Sequence, residues 1–213
     1  MCEESYQIIY NKTFCKTFYE SETNFTKHII PCNKNGFCIT IDNFLSDEKC
    51  EEFINNYNYK DLLTISKING TILDTEYRNS TSGKFENKDF TDYVYDKIKL
   101  YLPQKIDNYE IHSINPRFTF MKYIFGQYFK SHCDGNQTFN GVTSFITLQI
   151  YCNTVPCENG GGTQFNTNNS EYSNLIIQPV KGKLLAFEQD FSEHQGCQQL
   201  LNLYTNLTIL IKK

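Results

Sequence analysis

The chain has no tryptophan and only two arginines, Arg78 and Arg117. It has no block of basic residues, and 20 lysines and arginines face 24 aspartates and glutamates, for a formal net charge of −4. A protein that binds nucleic acid by neutralising phosphates needs a basic stripe, so no nucleic-acid partner is expected. No apolar run approaches the roughly 18–20 residues of a membrane-spanning helix, and no membrane partner is expected either. Met1-Cys2-Glu3-Glu4-Ser5-Tyr6 lacks the basic and then apolar pattern of a secretory leader. No Cys-x-x-Cys occurs, and the nine cysteines are odd in number and scattered. That spacing disfavours a zinc ribbon or a disulfide scaffold and suits free thiols in a reducing compartment. The expectation is an intracellular, cytoplasmic location.

What is present suits one domain. The 213 residues are 39% hydrophobic and 15% aromatic, all of the latter Phe and Tyr, enough to bury a core and too apolar for a disordered chain. Residues 1–36 are polar and aromatic without a clear period, and end in the turn-forming Pro31-Cys32-Asn33-Lys34-Asn35-Gly36. They read as an N-terminal arm with a strand or two, ahead of a domain over residues 37–213. Residues 37–41 read as a strand. Ser46 is a candidate N-cap, with Asp47 and Glu48 in the first turn of a helix running to about Tyr57. Phe90, Val94, Ile98 and Tyr101 recur at helical spacing, which predicts a helix over 87–102 with Pro103 as its stop. Beyond it the period changes. Residues 117–129, 142–153, 175–180, 183–188 and 203–212 are strand-like and separated by Gly, Asn, Pro and Asp clusters. Helices followed by short strands indicate an α+β domain whose second half is a sandwich or barrel.

Two of the four histidines stand in suggestive surroundings. His132 and Asp134 are separated by one residue, and on an extended strand such positions share a face. An imidazole nitrogen and a carboxylate oxygen can then meet at one metal ion. A third ligand must come from a facing strand, and His194 is placed to supply it. Two histidines and one carboxylate on one face of an octahedron suit Fe(II), with three positions left open.

Around these residues the sequence resembles the Fe(II)- and 2-oxoglutarate-dependent dioxygenases, specifically the prolyl 4-hydroxylase-like branch. The resemblance runs in order over about residues 37–211. Residues 39–50 resemble that branch's opening strand and helix, and Arg78-Asn79-Ser80 its Arg-x-Ser segment. Met121 to Gly135 resembles the strand leading into the metal motif, and Thr147 to Asn153 the Tyr-Leu-Asn strand. Gly161-Gly162-Thr163-Gln164-Phe165 is a shifted form of the Gly-Gly-x-Thr-x-Phe pattern, and Pro179 to Phe187 resembles the strand before the distal histidine. The resemblance implies a double-stranded β-helix, a jelly-roll-like barrel, backed by the two N-terminal helices. It implies His132, Asp134 and His194 as iron ligands, and Tyr123, Tyr151, Tyr204 and Thr208 at the 2-oxoglutarate site. Arg78 is implied at the substrate, within a loop over residues 77–85. The cofactors implied are Fe(II), 2-oxoglutarate as cosubstrate, O2 and ascorbate. The reaction implied is hydroxylation of a protein or peptide, at proline by analogy with the nearest branch.

One departure stands out. The family carries a Lys or Arg nine or ten residues after the distal histidine, paired with the far carboxylate of 2-oxoglutarate. Leu203 and Tyr204 occupy those positions. A tyrosine donates one hydrogen bond but brings no charge, and losing a charged partner costs a buried carboxylate about 2–5 kcal/mol. Arg117, Lys122 and Lys183 lie on predicted strands as possible replacements, although Lys122 alternates with Tyr123. The departure keeps open a second reading, a catalytically impaired member acting as a binding protein. A zinc hydrolase on the same three ligands is the weakest alternative, because no His-Glu-x-x-His occurs.

Overall fold

The structure, a computed structural model, describes residues 9–10, 26–30, 36–57, 64–65, 72–106, 109–111, 113–136, 138–139, 141–166, 175–189, 192–198 and 206–212. In chain order the principal elements are β1 (Thr26–Ile29), β2 (Cys38–Asp42), α1 (Asp47–Tyr57), β3 (Thr81–Glu86), α2 (Lys88–Ile98), β4 (Arg117–Tyr123), β5 (Phe129–His132) and β6 (Ile146–Tyr151). They continue with β7 (Thr163–Phe165), β8 (Leu175–Ile177), β9 (Leu184–Glu188), β10 (His194–Gly196) and β11 (Asn206–Lys212). Among the described residues the strands form two main sheets. The larger runs Ile9–Tyr10, β3, β4, β11, β6, β9, β2, β1, with Thr64–Ile65 also paired to β3; the smaller runs β8, β7, β10, β5. From β4 onward the chain passes back and forth between them, except that β7 and β8, consecutive in sequence, pair within the small sheet.

Alternation along the strands gives the large sheet two different faces. In β6, Ile146, Leu148 and Ile150 join the core that contains both helices. Tyr151 joins a second core with Leu185 and Phe187 of β9 and Phe165 of β7. Strand β9 divides likewise, with Leu184 and Ala186 on the helix side and Leu185 and Phe187 on the other. The helices therefore back one face of the large sheet, and the small sheet covers the other.

Both helices start at a side-chain cap, the first at the expected Ser46 and the second at Asn87, which the sequence reading did not single out as a cap. The Lys49 amide donates to Ser46 Oγ at 3.3 Å, and the Phe90 amide donates to Asn87 Oδ1 at 3.0 Å, each satisfying a first-turn donor. Cys50, Phe53 and Tyr57 of α1, and Phe90, Val94 and Ile98 of α2, are buried at spacings of three and four. Phe53 meets Phe90 with ring centroids 4.3 Å apart and Phe118 of β4 at 6.1 Å, which locks the two helices to the sheet.

Three local expectations need correction. The second helix ends at Ile98 rather than 102. The Tyr101 amide closes a tighter turn on the Ile98 carbonyl at 2.8 Å, and Leu100, 85% exposed, has nothing apolar to hold it in a further helical turn. The predicted strand 117–129 is two strands, broken at 124–128 where Gly126 takes φ 79°. The expected loop over 77–85 is largely strand, because residues 81–86 pair with β4. Its signal is weak because the inward positions are Gly83 and Phe85, and a glycine carries no β propensity. Of the expected arm, only residues 9–10, 26–30 and 36 are described, and β1 from that arm pairs with β2 at the sheet edge.

Candidate metal centre

β5 and β10 are neighbours in the small sheet, and their register sets His132 directly opposite His194. Asp134 follows two residues after His132, just past the strand end. One ligand atom from each of the three lies within 4.8 Å of the others. The Asp134 carboxylate is 3.9 Å from the Nε2 of each histidine. The side chains are well covered, with 12%, 8% and 7% of the surfaces of His132, Asp134 and His194 exposed.

The tautomers follow from the outer contacts. His132 Nδ1 lies 2.8 Å from the Lys130 carbonyl, and His194 Nδ1 lies 3.4 Å from the Ser192 carbonyl. A carbonyl only accepts, so each Nδ1 carries the proton and each Nε2 presents a lone pair. Phe129 stacks on the His132 ring at 3.6 Å, and Phe187 meets the His194 ring edge-on at 4.9 Å. These apolar neighbours fix the rings and exclude water. Burial, assisted by the neighbouring His194, pushes His132 down from 6.5 to about 4, against the pull of the Lys130 carbonyl and Asp134. At neutral pH this imidazole is unprotonated, the state a metal requires.

Asp134 is held by a polar chain that sequence reading did not single out. Thr147 Oγ1 donates to Asp134 Oδ2 at 2.5 Å. Gln189 Nε2 donates to Thr147 Oγ1 at 3.5 Å, and Ser144 Oγ donates to Gln189 Oε1 at 3.1 Å. Thr147, Gln189 and Ser144 are all buried, so the chain's direction is fixed from Ser144 to the carboxylate. Thr147 and Gln149 alternate with Ile146, Leu148 and Ile150 in β6, and that alternation of polar and apolar residues is the signal that could have exposed them.

Among the other expected residues, Tyr151 is fully buried and its hydroxyl donates to Thr163 Oγ1 at 2.8 Å. Gln149 Nε2 donates to the same oxygen at 3.0 Å. Burial pushes the Tyr151 phenol well above its ordinary value of 10, so it stays neutral. Tyr123 is buried on the same side of the large sheet, against Gly196 of β10, where an added Cβ would lie 3.4 Å from the phenol oxygen. Position 208 pairs with Tyr151 on one side and Met121 on the other. Tyr204 lies outside the described residues. Arg78 forms an isolated bridge with Phe129, and its guanidinium stacks 4.4 Å from that ring. Of the candidate replacement cations, Arg117 pairs with Glu86 at 3.2 Å and Lys183 with Asp42 at 3.3 Å. Lys122 alternates with the buried Tyr123 on β4.

Two imidazole nitrogens and one carboxylate, converging from strand ends with little of their surface exposed, make a facial donor set for a divalent first-row metal. The arrangement therefore fits the Fe(II) that the sequence resemblance implies.

Several solved structures share this fold. A viral collagen prolyl hydroxylase from Paramecium Bursaria Chlorella virus-1, in its 2OG complex, is 22% identical with a TM-score of 0.61, over 82% of this chain and 94% of its own. A Pseudomonas putida prolyl-4-hydroxylase is 12% identical with a TM-score of 0.65, over 88% and 91%. A prolyl hydroxylase from Trichoplax adhaerens, in complex with a hypoxia inducible factor peptide fragment, is 14% identical with a TM-score of 0.66, over 82% of each chain. No curated protein matches the sequence. Residues 118–203 match the family described as the 2OG-Fe(II) oxygenase superfamily, and that stretch contains His132, Asp134 and His194. Over that stretch the sequence is similar to the 2OG-Fe(II) oxygenase superfamily, and the fold is similar to that of the prolyl hydroxylase structures.

Proposed function

We propose that the protein is an Fe(II)- and 2-oxoglutarate-dependent dioxygenase that hydroxylates a protein or peptide substrate at proline, on a double-stranded β-helix formed by β4 to β11. The observation that carries this reading is the convergence of His132, Asp134 and His194, with ligand atoms within 4.8 Å of one another. In this reading His132 and His194 ligate through Nε2, with their Nδ1 protons held on the Lys130 and Ser192 carbonyls. Thr147 fixes the rotation of the Asp134 carboxylate. Bound iron would supply the redox chemistry that couples decarboxylation of 2-oxoglutarate to oxidation of a C–H bond. Tyr123, Tyr151 and Thr208 belong to the cosubstrate side, where the buried phenols bring hydrogen bonds and no charge. The prolyl hydroxylase neighbours support a peptide as the substrate class.

The test is anaerobic titration of 2-oxoglutarate into Fe(II)-loaded protein, following the visible charge-transfer band of the chelate. A saturable band, followed by succinate release on adding O2 and proline-containing peptides, is the expected result. Bound iron without a band would overturn the enzyme reading in favour of a binding protein on the same fold.

A further inference from the structure

No lysine or arginine occurs between His194 and Lys212, so the last strand and its approach bring no cation to the cavity. Arg117 and Lys183 are engaged with carboxylates. Arg78 differs. The half-buried guanidinium donates from Nε to Ser80 Oγ at 3.1 Å, and its Nη2 lies 3.1 Å from the Met121 sulfur. Among the described residues it has no carboxylate partner. A thioether is a weak acceptor, and a half-buried cation held against one is under-compensated.

The position of Arg78 is fixed by its backbone. The Asn79 amide donates to the Tyr128 carbonyl at 3.3 Å, and the Lys130 amide donates to the Tyr77 carbonyl at 3.0 Å. The Tyr128 amide donates back to Asn79 Oδ1 at 2.8 Å. Residues 77–80 thereby bridge the edge of the small sheet at β5 to the start of β3 in the large sheet. From this bridge the guanidinium lies over Phe129, which stacks in turn on His132. Its tip reaches Met121, which shares the cavity-side row of the large sheet with position 208 and Tyr151. The cation thus touches both the neighbour of a metal ligand, Phe129, and Met121, the end of the row that leads through position 208 to Tyr151.

We propose that Arg78 supplies the positive charge that binds the far carboxylate of the 2-oxo acid, reaching it from the residue 77–80 bridge instead of from the start of the last strand. The proposal rests on the 2-oxoglutarate reading above. A guanidinium turned from the sulfur would offer a planar pair of N–H groups, the geometry that binds a carboxylate in bidentate fashion. Phe129 would keep the plane in place by stacking, so that little side-chain freedom is lost on binding.

The experiment is calorimetric titration of the Mn(II)-loaded full chain with two acids of equal length. One is 2-oxoglutarate; the other is 2-oxopentanoate, in which a methyl group replaces the far carboxylate. The wild-type protein should favour 2-oxoglutarate, and Arg78→Gln should weaken 2-oxoglutarate by about 10- to 100-fold while leaving 2-oxopentanoate within about twofold. Arg78→Met, which keeps apolar contact with Phe129, should give the same selective loss and reads out even if the Gln variant does not fold. A preference that survives both substitutions, an equal fall for both acids, or a wild-type protein without preference would overturn the role of Arg78 alone. A wild-type protein that holds Mn(II) and binds neither acid would overturn the 2-oxoglutarate reading and this proposal with it.

Discussion

Thr147→Val removes one hydroxyl and keeps the shape of the side chain. The lost contact is a 2.5 Å O–H···O⁻ bond to Asp134, in a site where the carboxylate is only 8% exposed. A hydrogen bond to a charged group contributes about 1.5–3 kcal/mol. At about 1.4 kcal/mol per tenfold, that is roughly 10- to 150-fold in metal affinity, if the bond serves to aim the carboxylate. The assay is anaerobic competition for Fe(II), or for Mn(II), against a chromophoric chelator. Thr147→Ser keeps the donor and should stay within a few-fold of wild type. Gln189→Leu should weaken binding less than Thr147→Val, because its own bond to Thr147 is 3.5 Å long. A Thr147→Val protein that folds normally and binds metal within twofold of wild type would refute the positioning role. So would an equal loss in the Ser variant.

Other outcomes can be checked alongside. Asp134→Ala or His132→Ala should abolish stoichiometric metal binding and succinate formation, read by metal analysis and turnover; retention of either activity would remove these residues from the site. Burial holds His132 at about 4 in the folded chain against an ordinary 6.5, so the folded state takes up this proton later than the unfolded state does. The sign follows: stability of the metal-free protein should be constant above about pH 6.5 and fall as pH drops towards 4. Melting curves across that window should show a shallower fall in His132→Asn, and identical slopes would refute the assignment. Gly182 has φ 77°, and a Cβ there would meet the Leu45 carbonyl oxygen at 2.2 Å. Gly182→Ala should therefore cost at least about 1–3 kcal/mol in urea unfolding, and a neutral effect would mean the turn can re-form elsewhere.

The parts of the fold that the sequence announced are those with long apolar periods. Phe90, Val94 and Ile98 mark α2, and the alternating residues of β6 and β9 mark the heart of the large sheet. The small sheet was harder to read, because β7 and β10 are three residues each and no period can be recognised over so short a run. Strand β3 was hidden by Gly83 at an inward position opposite Phe120. In the site, His132 and Asp134 were legible because spacing of two on a strand is a local property. Their convergence with His194 required the ordered resemblance, since the cross-strand register of β5 and β10 is set over 62 residues of chain. In the hydrogen-bonded chain from Ser144 through Gln189 to Thr147, only Thr147 carries a local signal, its polar place in the alternation of β6, and the links to Ser144 and Gln189 are illegible for the same reason. Those two are ordinary polar residues that acquire meaning only through partners on other strands.

Strand β6 has a consequence for how this protein can change. Across six consecutive residues, every other one faces the helices and the rest face the cavity, so two selective pressures are interleaved in one short stretch of gene. In a saturation library over residues 146–151, screening for folded protein should deplete substitutions at Ile146, Leu148 and Ile150. Screening the same library for turnover should further deplete Thr147, Gln149 and Tyr151, whose polar atoms meet Asp134 and Thr163. The difference between the two screens would appear as a two-residue rhythm, and substrate or cofactor preference could be re-engineered on one beat while the other keeps the protein folded.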